Sequence, residues 1–131
     1  GVPYARYSLT GEEPAPWCAR GIRWCFTQAG IRLPGNRYLI GRVSTMREEL
    51  AAVGAQLRQA ELPWPGDLLF LRDRGDSAVG SGEHVAIVES CGELTVNTID
   101  FNWGDKVRNV ARDRHSLAIK CFARWPIRAT A

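Results

Sequence analysis

The stretch Gly82-Glu83-His84-Val85-Ala86-Ile87-Val88-Glu89-Ser90-Cys91-Gly92-Glu93-Leu94-Thr95-Val96-Asn97-Thr98-Ile99-Asp100 holds two β-branched, apolar runs around a polar turn. It reads as a hairpin of two strands, His84–Glu89 and Leu94–Asp100, joined through Ser90-Cys91-Gly92-Glu93. A loop at 91–93 sets Ser90 against Leu94 and His84 against Asp100. A loop shorter by one residue would bring Ile99 opposite His84 instead. Directly opposed side chains stand about 4.5–5.5 Å apart at Cβ, so in the first register Asp100 can accept a hydrogen bond from the imidazole. Asn102 has the same parity and can bond at the same site.

Upstream, Pro63-Trp64-Pro65-Gly66-Asp67 breaks a preceding element and launches Leu68-Leu69-Phe70-Leu71, a short apolar run expected as a buried strand. Gly75 to Gly82 is a polar, glycine-rich loop, and Lys106–Arg112 and Ala118–Arg124 are expected as closing strands. The N-terminal half has a different period. Residues 1–15 read as an irregular lead-in, and Pro16 suits a first helical turn. Cys18, Ile22, Cys25 or Phe26, and Ala29 then recur at helical spacing, with Gly30 as a stop. After the Pro34-Gly35-Asn36 loop, Thr45-Met46-Arg47-Glu48 has a capping-box pattern, and Leu50, Val53 and Leu57 extend a second helix to about Leu62. Helices first and strands second predict an α+β fold, with the helices packed on an antiparallel sheet of about five to six strands. At 131 residues the chain fits one domain spanning 1–131.

Basic residues outnumber acidic ones 17 to 14, a formal charge of +3. That is too weak and too dispersed for nucleic acid, and suits at most mild attraction to an anionic surface such as a cell wall. No apolar run approaches the roughly 20 residues of a membrane span. The chain opens Gly1-Val2-Pro3 without methionine, which reads as a processed form or an excised domain. An export signal or neighbouring domains of a longer parent chain can therefore lie outside it.

Cys18 stands at the first turn of the first helix, where the macrodipole and open N–H groups favour a thiolate. Arg20 and Arg23 add positive charge nearby. Cys25 reads as core, and Cys91 as exposed at the hairpin tip. Cys18 and Cys25 on one helix lie about 10 Å apart along its axis, too far for a disulfide; Cys91 with Cys121 stays open. Of the two histidines, His115 lies in the charged run Arg112-Asp113-Arg114-His115, whereas His84 opens an apolar strand. A thiolate, a base and a polar group to orient that base make a cysteine hydrolase. A zinc site is disfavoured, since no Cys-x-x-Cys or His-x-x-x-His pair seeds tetrahedral ligation.

Trp17-Cys18-Ala19, Pro65-Gly66-Asp67-Leu68-Leu69-Phe70, Glu83-His84-Val85-Ala86-Ile87-Val88-Glu89 and Cys121-Phe122-Ala123-Arg124-Trp125-Pro126 resemble, in order, the CHAP amidase/peptidase domains of the papain-like NlpC/P60 superfamily. Thr98-Ile99-Asp100-Phe101-Asn102 is similar to that family's Thr-Ile-Glu-Gly-Asn segment, with aspartate for glutamate and phenylalanine for glycine. The resemblance implies Cys18 as nucleophile, His84 as base, Asp100 as orienting carboxylate and Asn102 as the accompanying polar residue. It implies no metal or organic cofactor, and peptidoglycan or a peptide as substrate, hence a secreted or cell-envelope setting of bacterial or phage origin. Trp17 beside the cysteine, and Trp64 and Trp103 in loops, are expected to line a groove for substrate. A toxin-like effector amidase, a protein peptidase or an inactive cell-wall-binding module would use the same scaffold. The shorter aspartate leaves open whether Asp100 or Asn102 orients the histidine.

Overall fold

The first helix, α1 (Cys18–Gln28), has 11 residues, fewer than the ~12–15 that an isolated helix needs in water. Packing therefore holds it: Ala19, Ile22 and Phe26 are buried in the main core with Leu68, Phe70, Val85 and Phe101. The computed structural model describes residues 18–34, 43–72, 83–103 and 106–126, with the backbone alone for Cys18, Arg20, Asn102, Trp103 and Lys106. The lead-in at 1–15, Trp17 and the loops expected at 35–36 and 75–82 lie outside these residues.

As expected, α1 stops at Gly30, whose φ is 73°. Gly30 N–H donates to Thr27 O (3.0 Å) and Ile31 N–H to Phe26 O (2.9 Å), so two terminal carbonyls are satisfied by a left-handed cap. The second helix, α2 (Val43–Ala52), ends in the same way, which corrects its expected reach to Leu62. Gly54, at φ 78°, turns the chain out of the helix, and Ala55 N–H closes on Leu50 O at 2.9 Å. Leu57 continues the helical spacing of Leu50 and Val53 only by coincidence. The start also differs, because Thr45 lies buried inside the helix rather than capping it.

Five strands follow: β1 (Leu68–Leu71), β2 (His84–Cys91), β3 (Thr95–Trp103), β4 (Lys106–Asp113) and β5 (Ile119–Ala123). They form an antiparallel sheet in the order β4-β3-β2-β1-β5, so the fold is α+β. β1 is an interior strand, between β2 and β5, and is buried on both faces, which explains its unbroken apolar run. Leu68 and Phe70 join the helix-side core, while Leu69 and Leu71 join a second cluster with Val88 and Val96. The outer edge of β5 is partly covered by the chain leaving α2, through Leu57 N–H to Phe122 O and Arg124 N–H to Ala55 O.

The expected hairpin is present, but its register is corrected. Asp100 faces Ala86, not His84, and Val88 faces Thr98. Past an irregularity at Glu89, Ser90 faces Asn97 and Cys91 faces Val96. The turn therefore begins later than expected, and Cys91 ends β2 half-buried rather than standing exposed at the tip. The slip at Asp100 is two residues, not one, so no side chain changes face. His84 and Asp100 remain on the same side as diagonal neighbours.

Gly21 is where α1 comes closest to the sheet. A Cβ there would stand inside the van der Waals envelope of the Phe101 ring, at its Cβ, Cγ and Cδ1 atoms. The phenylalanine that occupies the expected glycine position of the family segment is thus accommodated by a glycine across from it. These ring atoms lie close to the β3 backbone and cannot swing away. Gly21→Ala would gain about 1 kcal/mol of helix propensity, against an overpacking penalty of about 1–3 kcal/mol. A net loss of stability is expected in urea unfolding, and a rise in the midpoint would show that α1 is not held this close.

Candidate active site

His84 is the first residue of β2 and is fully buried. The residue before it is clamped from two sides. Glu83 accepts from Arg47 Nε and Nη2 of α2, each at 3.0 Å, and from Lys120 Nζ of β5 at 2.7 Å. The start of β2 is therefore tied to a helix and to the far strand of the sheet. From there the imidazole reaches Asp100, with Nε2 2.6 Å from Oδ2.

Asp100 is also fully buried, and its two oxygens are saturated. Oδ2 accepts from Arg112 Nη2 at 2.6 Å as well as from His84. Oδ1 accepts from Thr98 Oγ1 at 2.5 Å and from Arg112 Nη1 at 3.1 Å. Burial alone would push this carboxyl up. The hydrogen bonds from His84 and Arg112, the Arg112 charge and the Thr98 hydroxyl override it and hold the carboxyl below its ordinary value. Asp100 is thus an acceptor only, so Nε2 of His84 carries the hydrogen of that bond. In the neutral ring Nδ1 then bears the lone pair, which makes it the nitrogen that can take a proton.

The aspartate, though shorter than glutamate, makes the contact on which the sequence left a choice. Asn102 lies in β3, and its side chain is outside the described residues, as is that of Cys18, which opens α1. His84 shares a sheet face with its β1 partner Leu71 and with Val88, while α1 packs over Val85 and Phe101 on the other. Arg23, five residues along α1, is buried.

Trp64 stands elsewhere. Asp67 and Val88 are bonded backbone to backbone at the other end of β1 and β2, about 13 Å along the strand from His84. There the Arg124 guanidinium lies 3.5 Å from the Trp64 ring centre, covering one of its faces. Arg124 in turn forks onto Asp67 with bonds of 2.9 and 2.8 Å. The Pro65-Gly66-Asp67 motif thus serves here to pin the segment after β5. Trp64, Cys25, Phe26, Arg124 and Trp125 line a cavity of about 230 Å³ at the far end of α1. Trp103 is a residue of β3, not of a loop.

Cys25, Cys91 and Cys121 are unpaired thiols. Cys91 belongs to the second cluster and Cys121 to the helix-side core, on opposite faces and with β1 between their strands, so no disulfide joins them. Burial pushes all three thiols above their ordinary value. Among the described residues no group of three His, Cys, Asp or Glu side chains could hold a metal ion.

Sequence reasoning missed Arg112 and Thr98. Arg112 belongs to a run of charges that reads as solvated, and only the pairing of β3 with β4 reveals its partner. A family model described as the CHAP domain matches residues 10–102, more than two thirds of the chain, a span that includes Cys18, His84, Asp100 and Asn102. No curated protein matches the chain.

Proposed function

Because the chain belongs to the CHAP domain family, we propose that it is a peptidoglycan hydrolase with a papain-like thiol mechanism. CHAP domains are in general amidases and peptidases, and the finer reading rests on the buried His84–Asp100 pair. In this mechanism the Cys18 thiolate attacks the carbonyl carbon of an amide, and backbone N–H groups at the start of α1 hold the oxyanion. The C–N bond breaks as Nδ1 of His84 gives its proton to the departing amine, leaving a thioester. Nδ1 then takes a proton from water, whose oxygen attacks the thioester and releases a carboxylic acid and the Cys18 thiolate, which restores the starting thiolate–imidazolium pair. Asp100 keeps the hydrogen on Nε2 throughout, so Nδ1 alone exchanges protons. A substrate in the wall sets this work in the cell envelope or outside the cell.

Mass spectrometry of peptidoglycan fragments after incubation tests the reading, with Cys18→Ala alongside. A newly freed muramic lactyl carboxylate identifies an amidase, and a split stem or cross-bridge an endopeptidase. Cys18→Ala is expected to abolish either product. Because burial raises the other described thiols, mild alkylation near neutral pH should label Cys18 first and stop the reaction in step. Cleavage that persists in Cys18→Ala, or no product from any fragment, sinks the proposal.

A further inference from the structure

Asp100 lies diagonally from His84, so a short carboxylate has to be aimed along the sheet face to reach the ring. The means of aiming comes from β4. Arg112 is opposite Val96, and Asp100 is opposite Arg108. The Arg112 guanidinium therefore runs along the face past Thr98, donating to Thr98 Oγ1 at 2.5 Å on its way to both oxygens of Asp100. We propose that Arg112 is a positioning residue of this site, which with Thr98 fixes Asp100 so that the carboxylate holds His84 in one orientation and one tautomer throughout the reaction. The proposal rests on the thiol mechanism above.

The physical reason is the charge cycle of the imidazole. His84 alternates between neutral and positive in each turnover. If Asp100 were balanced by the imidazolium alone, it would become an unopposed, fully buried charge each time the ring lost its proton, which is strongly unfavourable. Arg112, itself 11% exposed, supplies a permanent counter-charge. Asp100 then stays ionised and accepts the Nε2 hydrogen from either form of the ring. The fork geometry matters too, since two parallel N–H groups fix the plane of a carboxylate as a single ammonium cannot.

Arg112→Met and Arg112→Lys test this, with melting curves to establish that each variant is folded. Of the charged groups described, Asp100 of β3 meets the His84 ring with Arg112 of β4 behind it, while Glu83, the preceding residue, is held by Arg47 and Lys120; β1 presents Leu71. Removing the positive charge in R112M is expected to lower kcat by about 10–100-fold with little change in KM. It is also expected to move the pH profile of kcat/KM upward, because both limbs depend on groups that lose a cationic neighbour. In R112K the profile stays in place and kcat falls several-fold, because the fork is lost. Nitrogen NMR of the imidazole supplies a readout independent of turnover. The parent should show hydrogen on Nε2, and R112M a mixture of tautomers in the neutral ring.

A folded R112M with the parent's kcat, pH profile and tautomer overturns the proposal. If R112M does not fold, R112K with the parent's full kcat overturns it in its place. A parent that cleaves no wall fragment, or a Cys18→Ala variant that still does, counts instead against the thiol mechanism. The tautomer measurement then decides the role of Arg112 by itself.

Discussion

Asp100→Ala is expected to lower the unfolding free energy by about 3–5 kcal/mol, the range for breaking a buried ion pair by removing one partner. The loss is large because the alanine leaves the Arg112 guanidinium, 11% exposed, without the carboxylate it forks onto. Urea unfolding measures it. The double variant with Arg112→Met should recover part of the loss, since it removes both charges from the site. A double variant that loses the sum of the two singles would mean that the pair is not coupled.

The same carboxylate links stability to pH. Asp100 is held below its ordinary value, with the donors around it overcoming burial, and Glu83 likewise, with Arg47 and Lys120 overcoming burial. A carboxyl whose folded value is depressed adds stability that is complete above its unfolded value, and loses it as pH falls through the folded one. The stability these two carboxyls add should thus be complete near neutrality and begin to be lost as pH falls through about 4. In Asp100→Ala the acid decline should be shallower. An equally steep decline would assign the acid sensitivity to other groups.

His84→Ala is expected to reduce kcat/KM on the cleaved wall fragment by about 10²–10⁴-fold, the usual contribution of a positioned general base. Fold should survive better here than in Asp100→Ala, because Asp100 keeps its bonds to Arg112 and Thr98. A melting curve separates the two effects. Alkylation of Cys18 near neutral pH should slow as well, since the imidazolium that stabilises the thiolate is gone. Unchanged alkylation together with unchanged turnover would remove His84 from the mechanism.

Local signals read most of the elements correctly. Gly30 ended α1 as expected because a left-handed cap is a property of a few adjacent residues. Gly54 ended α2 by the same device, yet Leu57 imitated a continuing helix and hid it. His84 could be preferred to His115 from its place at an apolar strand, and His115 indeed lies at the turn after β4, its ring 3.2 Å from Glu93 O. Parity put both Asp100 and Asn102 on the His84 side, and left the choice between them open.

Strand alternation has a period of two and is written along the chain, so which side chains share a face was already set before any strand was paired. That period carried His84, Thr98 and Asp100 to one side and survived a register error of two residues. Register itself depends on where the turn closes and where a bulge falls, and only the assembled sheet decided that Asp100 would meet the ring diagonally. Partners of buried charge are longer-range still. Nothing near Arg112 in the chain marks it as the counter-charge of Asp100, and nothing near Trp64 marks it as the platform of Arg124. Those pairings arise because a charge leaving water takes whichever opposite group the fold has brought within reach.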